Sequence, residues 1–441
     1  TTSIGPGCAN LVTAAGVAHV NRLPMLLLPG DIFVSRDPDP VLQQVEDFQD
    51  GNVSTVDCLR PVSRYFDRIV TPHQLLTALP RAIAVLTDPA LCGPVTLALP
   101  QDVQAMACDW PEDFFDERII DFRQPLPEPA QLERAAQLIK AAKRPLIVCG
   151  GGVLYSQGGS EALRRFAQTH GIPVGESQAG KGALPWDMPL LSGSIGVTGS
   201  PAANELAADA DVVIAVGTRL QDFTTGSHTL YAKARLISIN VNTFDAVKWR
   251  GTALQADATR ALDALSAVLA GWQADPGWQS RSVALNDAWR AGIAEIVVSS
   301  RAALPTYAEV IGAVQASASD SMKNDIAVCA AGTLPAELHK LWRTSTPGGY
   351  HMEYGYSCMG YEVAGGMGVK MARPEREVIV IVGDGSYLML NNELATSVML
   401  DQKIIVVLTD NAGYACITRL QQACGGAPFN NMIADCRQGR H

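Results

Sequence analysis

The stretch Val378-Ile379-Val380-Ile381-Val382-Gly383-Asp384-Gly385-Ser386 decides the fold. Its apolar, β-branched run is too short for a helix and shows no polar alternation, the pattern of a strand buried on both faces of a parallel sheet. It stops at Gly-Asp-Gly, residues that let a chain turn out of a sheet. A second run, residues 404–408, stops in the same manner at Thr409-Asp410-Asn411-Ala412-Gly413. Asp384 and Asn411 stand 27 positions apart with a helix-like segment, 392–400, between them. The unit therefore reads strand, helix, strand. A parallel sheet delivers both runs to one edge by their carboxyl ends, where open α/β sheets bind ligands.

At that edge the carboxylate of Asp384 and the amide oxygen of Asn411 are expected to converge. A hard cation such as Mg2+ takes oxygen ligands of this kind, keeping one or two carboxylates alongside water and substrate phosphates. Gly383 and Gly385 would let backbone approach a diphosphate closely and offer it N–H donors. Either motif alone is also satisfied by an ordinary strand-ending turn. The two at this spacing point to a metal and diphosphate site.

Working outward, the same alternation of short β-branched runs and Ala-rich stretches recurs in three blocks. The first has a helix-like 10–20, strands at 25–28 and 95–99, a helix from His73, and a polar excursion over 37–68. The second has helices at 132–142 and 202–210, and strands at 145–148, 211–216 and 235–241. The third follows a polar stretch over 274–301 and has strands at 326–329, 377–382 and 404–409. The expected domains are 1–125, 126–300 and 301–441. Gly150-Gly151-Gly152 is followed at the decisive position by Tyr155, so Gly-x-Gly-x-x-Gly is not met and a plain strand-to-helix turn is the reading.

Composition narrows the function. Lys and Arg number 34 against 44 Asp and Glu, a net charge of −10, which excludes the broad positive field that nucleic acid requires. No apolar run approaches the ~20 residues that span a bilayer, so no membrane association is expected. The 10 cysteines lack Cys-x-x-Cys spacing, which argues for reduced thiols, a cytoplasmic protein and no structural zinc.

The Gly-Asp-Gly to Asn pairing resembles the signature of the thiamine diphosphate enzymes, and the resemblance extends along the chain. Ser3-Ile4-Gly5-Pro6-Gly7-Cys8-Ala9-Asn10 is similar to the Ser-Gly-Pro-Gly-Ala-x-Asn stretch of acetolactate-synthase-like pyrimidine-binding domains. By that match Pro6 and Asn10 lie against the aminopyrimidine. The middle block resembles the family's central domain, which binds FAD in some members; the resemblance leaves FAD open here, with its absence the expectation. Glu353-Tyr354-Gly355-Tyr356-Ser357-Cys358-Met359-Gly360 resembles the loop whose bulky apolar residue props the bent cofactor, a role that falls to Met359. Packing asks for the same apolar bulk, so a plain core methionine stays open. The resemblance makes Asp384, Asn411 and the Gly413 carbonyl the Mg2+ ligands, and sets Gly383, Gly385 and Ser386 against the diphosphate. It implies three consecutive doubly wound parallel-sheet α/β domains and a homodimer or homotetramer.

Two departures narrow it further. Asp410-Asn411 replaces the usual Asn-Asn, and the prop loop carries Tyr-Ser-Cys-Met. Both resemble the trihydroxycyclohexanedione hydrolases of myo-inositol breakdown, which open a ring C–C bond to give 5-deoxy-glucuronic acid. Asp410 is expected to alter the surroundings of the metal and not its ligation. The alternatives are an acetolactate-synthase-like carboligase or decarboxylase of 2-oxo acids, and a non-catalytic cofactor-binding fragment. The family's activating glutamate precedes the Ser-Gly-Pro-Gly stretch, whereas the first glutamate here is Glu46. The outer domains thus read as cut at their ends, the chain as part of a longer enzyme, and little turnover is expected of it alone. His351 would face the substrate or be structural, and Cys358 and Cys416 read as packing. Lys181 and Arg219 would meet an anionic group or be solvated surface charges, the latter being the default reading.

Overall fold

The computed structural model describes residues 1–35, 37, 41–317 and 325–436. Residues divide into two compact units, Thr1–Arg123 and Gln124–His441.

In the first unit, strands β1 (Met25–Leu27), β2 (Gly30–Asp31) and β3 (Tyr65–Arg68) all pair in parallel with β4 (Pro94–Pro100). Met25 pairs with Pro94 and Gly30 with Leu99, the same offset, so β1 and β2 form one strand line broken at Leu28-Pro29. Pro29 has no amide hydrogen to add to the ladder, yet its carbonyl still accepts from Leu99 N at 2.9 Å. The helix Leu75–Thr87 lays Ala78 and Ala82 on Val95 and Leu97.

The polar excursion over 37–68 conceals structure; its residues 38–40 lie outside the described residues. It holds a 3-10 helix, Thr55–Val62, and the strand β3, which apolar periodicity missed because charges carry the packing. Arg68 Nε donates to the buried Asp31 at 2.6 Å, and Nη2 donates to Asp57 at 3.1 Å.

The second unit carries two parallel sheets. The larger comprises β5 (Pro145–Cys149), β6 (Val174–Glu176), β7 (Leu191–Ser194), β8 (Val212–Val216), β9 (Arg235–Asn240) and β10 (Thr252–Gln255), in the order β10-β9-β8-β5-β6-β7. Alternate residues face opposite layers, as the pleat requires. Ile147, Cys149, Ile214 and Val216 meet the helices Pro129–Lys140, Gly159–His170 and Ala258–Val268. Leu146, Val148, Val213 and Ala215 meet Pro201–Asp209 and the start of Pro276–Ile296. The sheet is thus wound on both faces.

The polar reading of 274–301 is corrected. Pro276–Ile296 is a 21-residue helix, capped by Asp275, whose Oδ1 accepts from Trp278 N at 3.1 Å. It looked polar because only a narrow stripe, including Trp278, Ser282, Asn286 and Ile293, is buried. Gly150 and Gly152 open a turn, as expected, and the reason is steric. A Cβ on Gly150 would stand 2.5 Å from Gly217 O, and one on Gly152 2.8 Å from Gly217 Cα, so the ends of β5 and β8 touch through glycine.

The other sheet has β11 (Ile326–Cys329), β12 (Tyr350–Met352), β13 (Val378–Gly383) and β14 (Ile405–Thr409), ordered β12-β11-β13-β14. Helices Tyr307–Ser317 and Leu334–Leu341 cover one face through Ile311, Leu334 and Leu338. Tyr361–Ala372 covers the other, setting Val369 against the layer of Val378, Val380 and Val382. Among the described residues no helix is long and apolar enough to cross a membrane.

Candidate functional site

β13 and β14 run side by side in parallel, with Gly383 paired to Thr409. That register sets the two turns together at one sheet edge, as the strand-helix-strand reading requires. Asp384 opens a short helix, Asp384–Tyr387, and its Oδ2 accepts from Gly413 N at 2.8 Å. Its Oδ1 is buried and has no hydrogen-bond partner. An ionised oxygen left in that condition costs about 1–3 kcal/mol or more, so the position calls for a cation or another donor.

Asn411 is half-buried, and Nδ2 donates to the Tyr307 hydroxyl at 3.1 Å, which fixes the amide orientation. Its Oδ1 accepts only a long contact, 3.4 Å, from Ala415 N, so it retains capacity for another partner. Gly413 adopts φ +146°, a conformation L side chains rarely adopt, and a Cβ there would stand 2.4 Å from Asn431 O. The turn is pinned on both sides, Tyr414 N donating to Asn431 O at 2.7 Å and Ile433 N to Ala412 O at 2.9 Å. Asp410 is exposed, and its Oδ1 accepts from Ala412 N at 2.8 Å. It shapes the loop.

These donors suit Mg2+. The set is one carboxylate, one amide oxygen and a backbone carbonyl, leaving positions for phosphate and water. Among the described residues no group of three or more His, Cys, Asp or Glu side chains assembles, so a nitrogen- or sulfur-rich centre has no counterpart.

Of the two glycines expected against a diphosphate, a Cβ on Gly383 would meet nothing within 4 Å, whereas one on Gly385 would lie 2.6 Å from Tyr414 Cε1. Gly383 therefore borders open space, and Gly385 lets Tyr414 close over the turn. Ser386 is buried. Its hydroxyl donates to Glu362 Oε2 at 2.7 Å and accepts from Gly360 N at 2.8 Å, so the side chain is spent inside the protein. What Ser386 retains for a ligand is its backbone amide, among the first of a helix and without an intrahelical acceptor.

Two carboxylates that the sequence reading passed over organise this region. Glu362, buried on helix Tyr361–Ala372, also accepts from Ala331 N at 3.2 Å, and burial raises its pKa. Glu353 is buried too, and accepts from Tyr356 N at 2.8 Å and Cys358 N at 2.7 Å, curling the loop that presents Met359. Their signal was two acids in a segment otherwise read as apolar and glycine-rich. Met359 is half-buried between Ser357 at φ 54° and Gly360 at φ 87°. Through the Gly360 to Ser386 bond its loop is tied to the Asp384 turn.

Pro6 and Asn10 belong to the first unit. Pro6 opens the short helix Pro6–Ala9, Asn10 links it to Leu11–Asn21, and both are exposed. His351 is half-buried with Nε2 at 2.7 Å from the Tyr361 hydroxyl, and burial lowers its pKa, which keeps the ring neutral near pH 7. Cys358 and Cys416 are half-buried, and burial raises the Cys358 thiol. Arg219 is half-buried, and its carbonyl accepts from Lys248 Nζ at 2.8 Å. Lys181 is a correction: it is not a solvated charge but only 6% exposed, because the turn after β6 is folded beneath the segment that follows helix Leu334–Leu341.

With this geometry in hand, the chain can be compared with known proteins. The family described as thiamine pyrophosphate enzyme, central domain, matches residues 132–265. The family described as thiamine pyrophosphate enzyme, C-terminal TPP binding domain, matches residues 330–435 and so contains both turns. A 3D-(3,5/4)-trihydroxycyclohexane-1,2-dione hydrolase of Geobacillus thermodenitrificans is 44% identical over 97% of this chain and 70% of its own length. Proteins of that name from Halalkalibacterium halodurans, at 44% over 97% of this chain and 71% of theirs, and Clostridium perfringens, at 43% over 96% and 70%, are similar to the same extent.

Proposed function

The chain belongs to the thiamine pyrophosphate enzymes, and from that premise we propose that it opens the ring of 3D-(3,5/4)-trihydroxycyclohexane-1,2-dione by C–C bond hydrolysis, giving 5-deoxy-glucuronic acid in myo-inositol degradation. The observation that supports the site assignment is the buried Asp384 Oδ1, without a hydrogen-bond partner among the described residues, on a carboxylate whose other oxygen is bonded to the Asn411–Gly413 turn. Asp384, Asn411 and the Gly413 carbonyl hold Mg2+. Backbone at Gly383, Gly385 and Ser386 holds the diphosphate, Met359 supports the cofactor between its rings, and Pro6 and Asn10 serve the aminopyrimidine. When bound, thiamine diphosphate supplies the carbon nucleophile and electron sink for the C–C cleavage.

This chain's own part is positional. Glu362, Ser386 and Gly360 form a closed hydrogen-bond relay that keeps the Met359 loop at a fixed distance from the metal turn. Glu353 keeps the loop's curvature, and the neutral His351–Tyr361 pair stiffens its approach. Tyr414 over Gly385 narrows the access of water to the turn. The reading includes three domains, 1–125, 126–300 and 301–441, and a cytoplasmic homodimer or homotetramer.

The test is turnover by the complete gene product with thiamine diphosphate, Mg2+ and the dione, followed by NMR for the ring-opened acid. Consumption of pyruvate with the dione left intact would overturn the reading in favour of a 2-oxo-acid carboligase or decarboxylase.

A further inference from the structure

Away from the metal turns, the unit Gln124–His441 holds a cavity of about 50 Å³ between its two sheets. That is room for about four water-sized centres. The turn after β6 brings Glu176, Lys181 and Trp186 to its wall, the long helix Pro276–Ile296 brings Asn286, and Arg343 and Thr344 close it.

Two polar atoms on this wall lack what they require. Asn286 is 1% exposed, and its Nδ2 donates to Pro189 O at 2.8 Å, but Oδ1 is buried and accepts nothing. Among the described residues the Lys181 ammonium forms no hydrogen bond; its Nζ lies 5.9 Å from the centroid of the Tyr350 ring, and the Glu176 carboxyl is near enough to interact with its charge. Among the described residues, an acceptor without a donor and an ammonium without a hydrogen-bond partner thus line one cavity.

The wall's charge points to an anion. Glu176 is its one carboxyl group, against Lys181, Arg290, Lys340 and Arg343, of which Lys340 pairs with Glu337 at 4.0 Å and Arg290 with Asp287 at 3.7 Å. Arg290 is committed, its Nη2 donating to Trp186 O at 3.2 Å and Met188 O at 2.7 Å. Arg343, also on the wall, is held over the Trp186 ring, 4.9 Å from its centroid. Burial pushes the Glu176 carboxyl up to about 7 and lowers the Lys181 amine, while the charge of each favours the ionised form of the other. Water would satisfy the hydrogen bonds, whereas an anion would also engage the Arg343 guanidinium, for which no ion pair is found among the described residues.

We propose that this cavity binds a small oxyanion carrying its own hydroxyl, with anionic oxygens on Lys181 and Arg343 and the hydroxyl donating to Asn286 Oδ1. Glycolate-like hydroxy-carboxylates and inorganic phosphate share that chemistry.

The test is calorimetric titration of the full chain at constant ionic strength with glycolate, phosphate, acetate and sulfate. Glycolate or phosphate should bind saturably, and whichever binds tighter identifies the source. Acetate and sulfate have no hydroxyl to donate and should bind at least about tenfold more weakly. Lys181→Met should weaken binding by about tenfold or more, with Lys181→Arg restoring part of it. Arg343→Gln, on a less buried residue, gives the same answer should Lys181→Met not fold. Asp384→Asn should leave binding unchanged. Equal binding of all four anions, no saturable binding, binding indifferent to both Lys181→Met and Arg343→Gln, or binding lost in Asp384→Asn would each overturn the proposal.

Discussion

Asp384 and Gly413 are joined by one hydrogen bond, Gly413 N donating to Asp384 Oδ2 at 2.8 Å, and that bond leaves the other carboxylate oxygen buried with nothing to accept. The two oxygens are therefore separable, one holding the turns together and the other being the oxygen proposed to hold Mg2+.

Asp384→Asn separates them. The amide oxygen can still accept from Gly413, so the ligand-free midpoint of thermal unfolding should shift by no more than a few degrees. The stabilisation that saturating thiamine diphosphate with Mg2+ confers, about 2.7 kcal/mol at 100 times Kd, should disappear. A ligand-induced shift of wild-type size in Asp384→Asn would refute the metal assignment.

Gly413→Ala tests the turn itself. Its Cβ would fall 2.4 Å from Asn431 O at a φ of +146°, so backbone and not a flexible side chain must yield. We expect a loss of about 1–3 kcal/mol in urea unfolding. Amide exchange should also quicken at Tyr414 and Ile433, whose N–H groups bond across this turn.

Ser386→Ala distinguishes an internal hydroxyl from one that touches the ligand. Its removal strands the Gly360 amide and one oxygen of Glu362, at a cost of about 1–3 kcal/mol. Stability should fall while thiamine diphosphate affinity, measured well below the midpoint, changes less than about threefold. A large affinity loss at unchanged stability would return the hydroxyl to the diphosphate.

The Glu176 and His339 pair predicts an unusual pH profile. Burial raises Glu176 to about 7, so its contribution is complete below about 4.5 and lost as pH rises through 7. Burial, reinforced by Lys181, lowers His339 to about 3, so the unfolded state takes up the proton first and stability falls as pH drops from 6.5 toward 3. The slopes oppose one another between about 4.5 and 6.5. In Glu176→Gln only the histidine slope remains, and urea midpoints should climb from pH 5 to 6.5 more steeply than in wild type, by up to about 1.4 kcal/mol per pH unit. An unchanged profile would show that Glu176 ionises no differently in the folded state.

The apolar runs at 326–329 and 378–382 were legible because a strand buried on both faces must be apolar throughout, and 404–408 was legible by the same pattern although its strand lies at the sheet edge with Ile405 and Leu408 exposed. The two turns were legible because Gly, Asp and Asn at strand ends are a local choice. β3 and the helix Pro276–Ile296 were not, since their polar residues are accommodated by partners far along the chain, as Arg68 is by Asp31 and Asp57.

The sequence by itself determined the parallel α/β architecture and the oxygen chemistry of Asp384 and Asn411, properties that spacing and residue type carry. Only the tertiary structure decided that Ser386 turns inward to Glu362, that Glu353 curls the Met359 loop, and that Lys181 is buried on the wall of the cavity that Asn286 also lines. Those outcomes depend on which elements meet. Local periodicity reports the face a residue occupies, but a polar group's partner, and hence its charge and task, is set by whatever the fold packs against that face.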